Sequence, residues 1–216
     1  MTGKLENALE RLTNILPLIK SQHECDPALK ELHQQILRSF VANGRALLKE
    51  EMAAFVSNVP EALNELSERE LVVLSQSGEL TGIYPFSTQK RKHSVLINGY
   101  RVYAMCALDA LAVAPLFDES TVVTSTCQVT DKPVLIEMRR GAVQNLEDVN
   151  DVHIGITWSA VDMTLNCADS LCLEMVFLIN KQTAEGWQSA EVKDREVFAL
   201  NEAVQFASLF FKPLLT

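Results

Sequence analysis

Apolar residues recur at three- and four-residue intervals over the first third of the chain. Leu5, Leu9, Leu12, Leu16 and Ile19 mark an amphipathic helix. Asp26-Pro27 then reads as an N-cap with proline at the first helical position, and Leu29, Leu32, Ile36 and Phe40 carry the period until Gly44 stops it. A third helix is expected over 46–56, ending at Ser57-Asn58, and Pro60 starts a fourth that carries Leu63, Leu66, Leu71 and Leu74 as far as Ser75. Short helix, tight polar turn and longer helix is the order of a helix-turn-helix.

After Gly78 the period changes to two. Strands are expected over 79–86 and 94–97, flanking the basic stretch Lys90-Arg91-Lys92, and Asn98-Gly99 is a strong hairpin signal leading into Tyr100-Arg101-Val102-Tyr103. A helix-turn-helix followed by a hairpin resembles a winged helix. The run 103–116 is too apolar for a surface helix and predicts a buried one, ended by Pro115. Strand-like runs follow at 120–129, 133–138, 152–158 and 171–180; Thr183 to Trp187 reads as a capping region, and a last helix is expected over 195–211. Strands clustered between helices predict an α+β fold. An N-terminal helical, winged-helix-like domain over 1–86 precedes an antiparallel-sheet domain with flanking helices over 87–216.

Composition narrows the function classes. The 216 residues carry 19 Lys+Arg against 28 Asp+Glu, a net charge of −9, which excludes nucleic-acid binding by bulk positive charge and repels anionic membranes. At 48% hydrophobic and 22% charged, the chain can bury a substantial core. Its most apolar early stretch, 12–19, is broken by Thr13, Asn14 and Pro17, so neither a secretory segment nor a membrane span is expected, and the protein is expected in the cytoplasm. Cys25, Cys106, Cys127, Cys167 and Cys172 are an odd set without a C-x-x-C pair, which argues for reduced thiols.

The most chemical feature is the pair Cys106 and Asp109, three apart in one predicted helix, where a carboxylate buried in so apolar a segment needs a partner or a raised pKa. Alternation places Cys172 on one face of the strand expected over 171–180, with Leu171 and Leu173 on the other. Read from the residues alone, both cysteines also fit as ordinary buried side chains, and Asp109 as a cap. Cys127 reads as structural, and Cys25 carries no role. His23, His33, His93 and His153 make no metal-ligand spacing with the cysteines, although a Cys106–His153 hydrolase pair is compatible with spacing. No dinucleotide fingerprint, Walker A motif or nucleophile elbow is present.

The string Tyr103-Ala104-Met105-Cys106-Ala107-Leu108-Asp109 resembles the active-site segment of the organomercurial (alkylmercury) lyases. The resemblance extends to Thr124-Ser125-Thr126-Cys127, to Ser170-Leu171-Cys172, and to Thr183-Ala184-Glu185-Gly186-Trp187 with the final helix. Met105 stands where well-known members carry tryptophan, and Leu173 where some carry a further cysteine. These two departures are where substrate range and rate are expected to differ. The resemblance implies that Cys106, Asp109 and Cys172 are catalytic and that the same three hold mercury(II). It also implies cleavage of the carbon–mercury bond by protonolysis with no organic cofactor, small cytosolic thiols as co-substrate, and a mercuric reductase as a possible acceptor of the ion.

Thiolates suit mercury(II) because both are soft, and two of them push electron density onto the bound carbon, which then accepts a proton from a sheltered acid. The two sulfurs are accordingly expected on the order of 4–5 Å apart. Two other readings share the pattern: a winged-helix regulator responding to metals or thiols, and a passive soft-metal binder. Against the first, the fourth helix carries Glu61, Glu65, Glu68 and Glu70 against the single Arg69. Against the second, a passive site has no use for a buried acid such as Asp109.

Overall fold

The computed structural model describes residues 3–190 and 194–216. Helices α1 (Gly3–Ile15), α2 (Leu18–His23), α3 (Pro27–Asn43), α4 (Lys49–Met52) and α5 (Val59–Glu68) come first. Pro17 divides the first predicted helix in two. For α3 the local chemistry acts as read: Asp26 accepts the Leu29 N–H, and Gly44 closes the helix at φ 69°. The third predicted helix shrinks to the single turn of α4. The fourth ends at Glu68, because Glu70 turns left-handed at φ 57° and the apolar run that follows becomes β1 (Val72–Leu74). Exposed Glu61 and Glu68, with Arg69 paired to Glu65 at 3.0 Å, give α5 an acidic surface unsuited to a phosphate backbone.

Strands β1, β2 (Leu80–Ile83), β3 (Phe86–Ser87), β4 (His93–Ile97) and β5 (Tyr100–Ala104) lead into α6 (Ala107–Phe117). Beyond it lie β6 (Ser120–Thr126), β7 (Pro133–Arg139), β8 (Ala142–Val143), α7 (Leu146–Val149), β9 (His153–Thr157), β10 (Met175–Leu178), α8 (Lys181–Gln188), β11 (Arg195–Ala199) and α9 (Leu200–Phe211). The first eight strands form one antiparallel sheet in the order β1-β2-β3-β5-β4-β6-β7-β8; β10-β9-β11 form a second. The architecture is the α+β class expected. Asn98 and Gly99, both at positive φ, make the β4–β5 hairpin turn.

The large sheet runs through the boundary expected at residue 86, where Phe86 pairs with Ala104. The Phe86 ring stacks on Phe40 of α3 at 4.6 Å and meets Phe117 of α6 at 5.8 Å, so helices and sheet share one core. Helix α6 is buried from Ala107 to Leu116 and packs on the sheet and against α9.

Several segments differ from the sequence reading for identifiable reasons. Tyr103 and Ala104 complete β5 instead of starting the buried helix, because Ser94 and His93 pair with them. Pro115 sits within the last turn of α6, which continues to Phe117 and ends at left-handed Asp118. Thr183 to Trp187 lies inside α8, which is capped by Asn180. The predicted helix over 195–211 divides, since Arg195–Ala199 pairs with β9 and α9 starts only at Leu200. Residues 171–174 form a 3-10 turn, leaving only Met175–Leu178 as strand. Among the described residues, no helix is long and apolar enough to cross a membrane.

Two buried histidines give the fold a pH dependence. Gln22 donates to His33 Nδ1 (2.9 Å) and to the Leu214 carbonyl (3.0 Å), where Gln34 also donates (2.9 Å), tying α2 and α3 to the C-terminal turn. Burial pushes His33 down to about 4 and His93, bonded to Ser125, down to about 3. Both fold as neutral rings, so below pH 6.5 the unfolded chain binds more protons than the native one. Stability should hold at neutral pH and fall as the pH drops from 6.5 towards 4. Urea-unfolding midpoints should decline over that window, and His33→Gln should flatten the decline.

Candidate active site

Three segments bring the site together. β5 delivers the chain to Met105, whose N–H donates to the Pro85 carbonyl at 3.2 Å. Cys106 then occupies the N-cap of α6 in extended conformation, φ −144°, and its sulfur accepts the Asp109 N–H at 3.3 Å. A cysteine here takes the role that serine or aspartate commonly fills, so Cys106 sits at the helix mouth with Asp109 one turn in. The third segment is the 3-10 turn Leu171–Glu174, which carries Cys172 into the same space. Cys172 Sγ lies 3.9 Å from Asp109 Oδ2, and the ligand atoms of Cys106, Asp109 and Cys172 all fall within 4.8 Å of one another. The Cys106 and Cys172 sulfurs are therefore no farther apart than the 4–5 Å expected from the sequence.

All three side chains are buried: Cys106 is 1% exposed, Asp109 2% and Cys172 3%. Burial raises the Asp109 carboxyl to about 7, more than hydrogen bonds from Cys106 lower it. Burial also pushes the Cys106 thiol up to about 12; the neighbouring Cys172 thiol and the α6 N-terminus do not outweigh it. Cys172, hydrogen-bonded with the neighbouring Cys106 and Cys167 sulfurs in a buried cluster, is raised well above the ordinary thiol range. At neutral pH the site therefore holds two protonated thiols and a carboxyl poised between acid and base. A soft cation that displaces the thiol protons relieves the cost of ionising the sulfurs, and Asp109 is the adjacent group able to receive a proton.

Two sulfurs not assigned a role from the sequence complete the surroundings. Met175 Sδ lies 3.5 Å from Cys106 Sγ, and Cys167 Sγ lies 3.8 Å from Cys172 Sγ. Both reach the site because the chain folds back through two 3-10 turns at Cys167–Asp169 and Leu171–Glu174, which no local periodicity announces. The turns are pinned from outside. The Ala168 N–H donates to the Tyr84 hydroxyl at 3.0 Å, Ser170 Oγ donates to the Asn166 carbonyl at 3.0 Å, and Arg91 pairs with Asp169 at 3.6 Å. Tyr84→Phe should strand the buried Ala168 N–H and cost about 1–3 kcal/mol, read as a lowered urea midpoint.

The remaining candidates lie elsewhere. Cys127 follows β6 and closes a turn through its backbone: its N–H donates to the Lys132 carbonyl, and its own carbonyl accepts the Asp131 N–H. Cys25 donates to the Ser21 carbonyl at 3.4 Å. His93 bonds Ser125, and His153 faces the Asp151 carbonyl at 2.7 Å. The metal-ligating cluster found among the described residues contains no histidine. Lys92 reaches Gln128 at 2.9 Å, so two of the three basic residues at 90–92 are engaged within the fold.

Known proteins resemble this chain in both sequence and fold. Residues 86–212 match the family model described as MerB, alkylmercury lyase. An alkylmercury lyase from Streptomyces lividans is 24% identical over 181 residues, covering 83% of this chain and 82% of the relative. One from Bacillus cereus is 22% identical over 184 residues, covering 85% and 82%. The fold matches the crystal structure of the mercury-bound form of MerB2 with a TM-score of 0.74 at 17% identity, covering 96% of this chain and all of that one.

Proposed function

The chain belongs to the alkylmercury lyase family of enzymes, and from that premise we propose that it cleaves the carbon–mercury bond of alkyl and aryl mercury compounds by protonolysis. The observation that carries the reading is the buried Cys106–Asp109–Cys172 cluster, two thiols and one acid within 4.8 Å. The organomercurial enters as R–Hg–X. One thiol captures the cation and gives up its proton as X⁻ leaves; the second thiol then binds the same mercury and passes its proton to Asp109. With two thiolates on the metal, the carbon bound to mercury becomes basic enough to take that proton from Asp109. The Hg–C bond breaks, R–H departs, and mercury(II) remains between Cys106 and Cys172.

The balance requires both thiol protons: one leaves with X⁻, the other ends on carbon. No oxidant or reductant takes part, and no organic cofactor is needed. Burial of all three side chains between α6 and the 3-10 turn keeps water away and the Asp109 proton directed at carbon. A carboxyl near 7 suits the cycle, since it both accepts a proton from sulfur and releases it to carbon at neutral pH. Five free cysteines support a reducing compartment, and the reading puts the reaction in the cytoplasm, where small thiols or a mercuric reductase would collect the ion.

The test is incubation of the purified protein with phenylmercury and excess thiol. Catalytic release of benzene supports the reading. Uptake of phenylmercury without benzene makes the protein a passive binder of the same fold.

A further inference from the structure

Mercury(II) between two buried thiolates is a stable product, and the turnover of such a site depends on how the ion leaves. Cys106 is the worst placed to surrender it: it sits at the mouth of a wholly buried helix and is 1% exposed. Cys172 is 3% exposed and touches Cys167, which is 5% exposed and follows the exposed residues 162–165. Cys172 thus neighbours both other sulfurs, Cys106 within the cluster and Cys167 beside the exposed segment 162–165. The last gap of 3.8 Å is shorter than twice a metal–thiolate bond of roughly 2.3 Å, so a small opening of the 166–174 turns admits an ion between Cys172 and Cys167. Cys167 stands outside the Cys106–Asp109–Cys172 cluster.

We propose that Cys167 is an exit ligand: product mercury(II) moves from the Cys106–Cys172 pair to a Cys172–Cys167 pair, and from there to an incoming small thiol. This inference rests on the lyase reading above. In the transfer the Hg–S bond to Cys106 breaks, a bond to Cys167 forms, and Cys172 stays bound throughout. The Cys167 thiol gives up one proton as it binds mercury and the Cys106 thiolate gains one as it leaves, so the proton count is unchanged. Mercury remains mercury(II). The external thiol repeats the exchange, returning a proton to each sulfur it displaces. Because the ion is never without two sulfurs, the transfer avoids the high cost of a bare soft cation in an apolar pocket.

Two experiments on the full chain test this. The first follows phenylmercury cleavage in the first turnover and at steady state with glutathione as acceptor. In Cys167→Ser the ratio of first-turnover to steady-state rate should rise roughly tenfold over the parent, because product release alone loses its relay. A ratio unchanged from the parent overturns the proposal. The second uses mercury(II) chloride alone and needs no cleavage. Cys106→Ser should still retain one mercury(II) through gel filtration without added thiol, held by Cys172 and Cys167, and release it when glutathione is added, whereas Cys106→Ser/Cys167→Ser should lose it on the column. Failure of Cys106→Ser to retain the ion overturns the proposal even if the Cys167 variants do not fold. Absence of benzene from the parent protein would count against the lyase reading instead, and leaves the mercury(II) arm readable.

Discussion

Asp109→Asn should slow carbon–mercury cleavage by orders of magnitude while leaving the site able to bind mercury(II). The substitution keeps the shape of the side chain and its hydrogen-bonding capacity at the first turn of α6, yet removes the one proton that can be handed to carbon. Asp109 is buried, with a carboxyl raised to about 7, and contacts both reactive sulfurs. Loss of a positioned general acid costs typically 10²–10⁴-fold, and benzene release from phenylmercury should fall by about that factor. Mercury(II) uptake by Cys106 and Cys172, read by displacement of a chromogenic thiol complex, should persist. Cleavage at the parent rate in Asp109→Asn would mean that the proton reaches carbon from another group.

Cys172→Ser should lose both functions. A hydroxyl is a hard, poorly ionised ligand for a soft ion, so the variant can hold an organomercurial only through Cys106 and cannot build charge on the carbon. Single-turnover benzene formation should drop at least as far as in Asp109→Asn, and mercury(II) should now be stripped by glutathione at concentrations the parent resists. The contrast between the two variants separates acid from ligand: one binds without cleaving, the other does neither well. Cys127→Ser, by comparison, alters a turn away from the cluster and should act on stability alone.

What could be read from the chain depended on how local the determining chemistry is. Helix α3 was legible at both ends because Asp26-Pro27 and Gly44 impose its boundaries within a few residues, and the β4–β5 hairpin because Asn98-Gly99 does the same. Residues 72–74, 103–104 and 195–199 read as helix and fold as strand, since their partners at 80–83, 93–94 and 153–157 are supplied by the sheets. Cys106, Asp109 and Cys172 were legible through a motif. Their side-chain placement was not: Cys106 caps the helix instead of lying within it, and Cys172 rides a 3-10 turn instead of a strand. Cys167 and Met175 had no periodic or spacing signal; only the fold-back of residues 166–175 brings their sulfurs to 3.8 Å and 3.5 Å from Cys172 and Cys106. The large sheet likewise crosses the boundary expected at residue 86, because a two-residue strand there joins the β1–β2 hairpin to β5.

Protonolysis differs from homolysis of the carbon–mercury bond in the origin of the hydrogen on the product. The measurement that isolates it is a single turnover of methylmercury by the parent protein in deuterium oxide, with the methane analysed by mass spectrometry. Asp109 and the cysteine thiols exchange fully with solvent, so the account predicts methane carrying one deuterium, formed in step with mercury(II) retained by the protein. Methane without deuterium, or ethane from coupled methyl radicals, would contradict it.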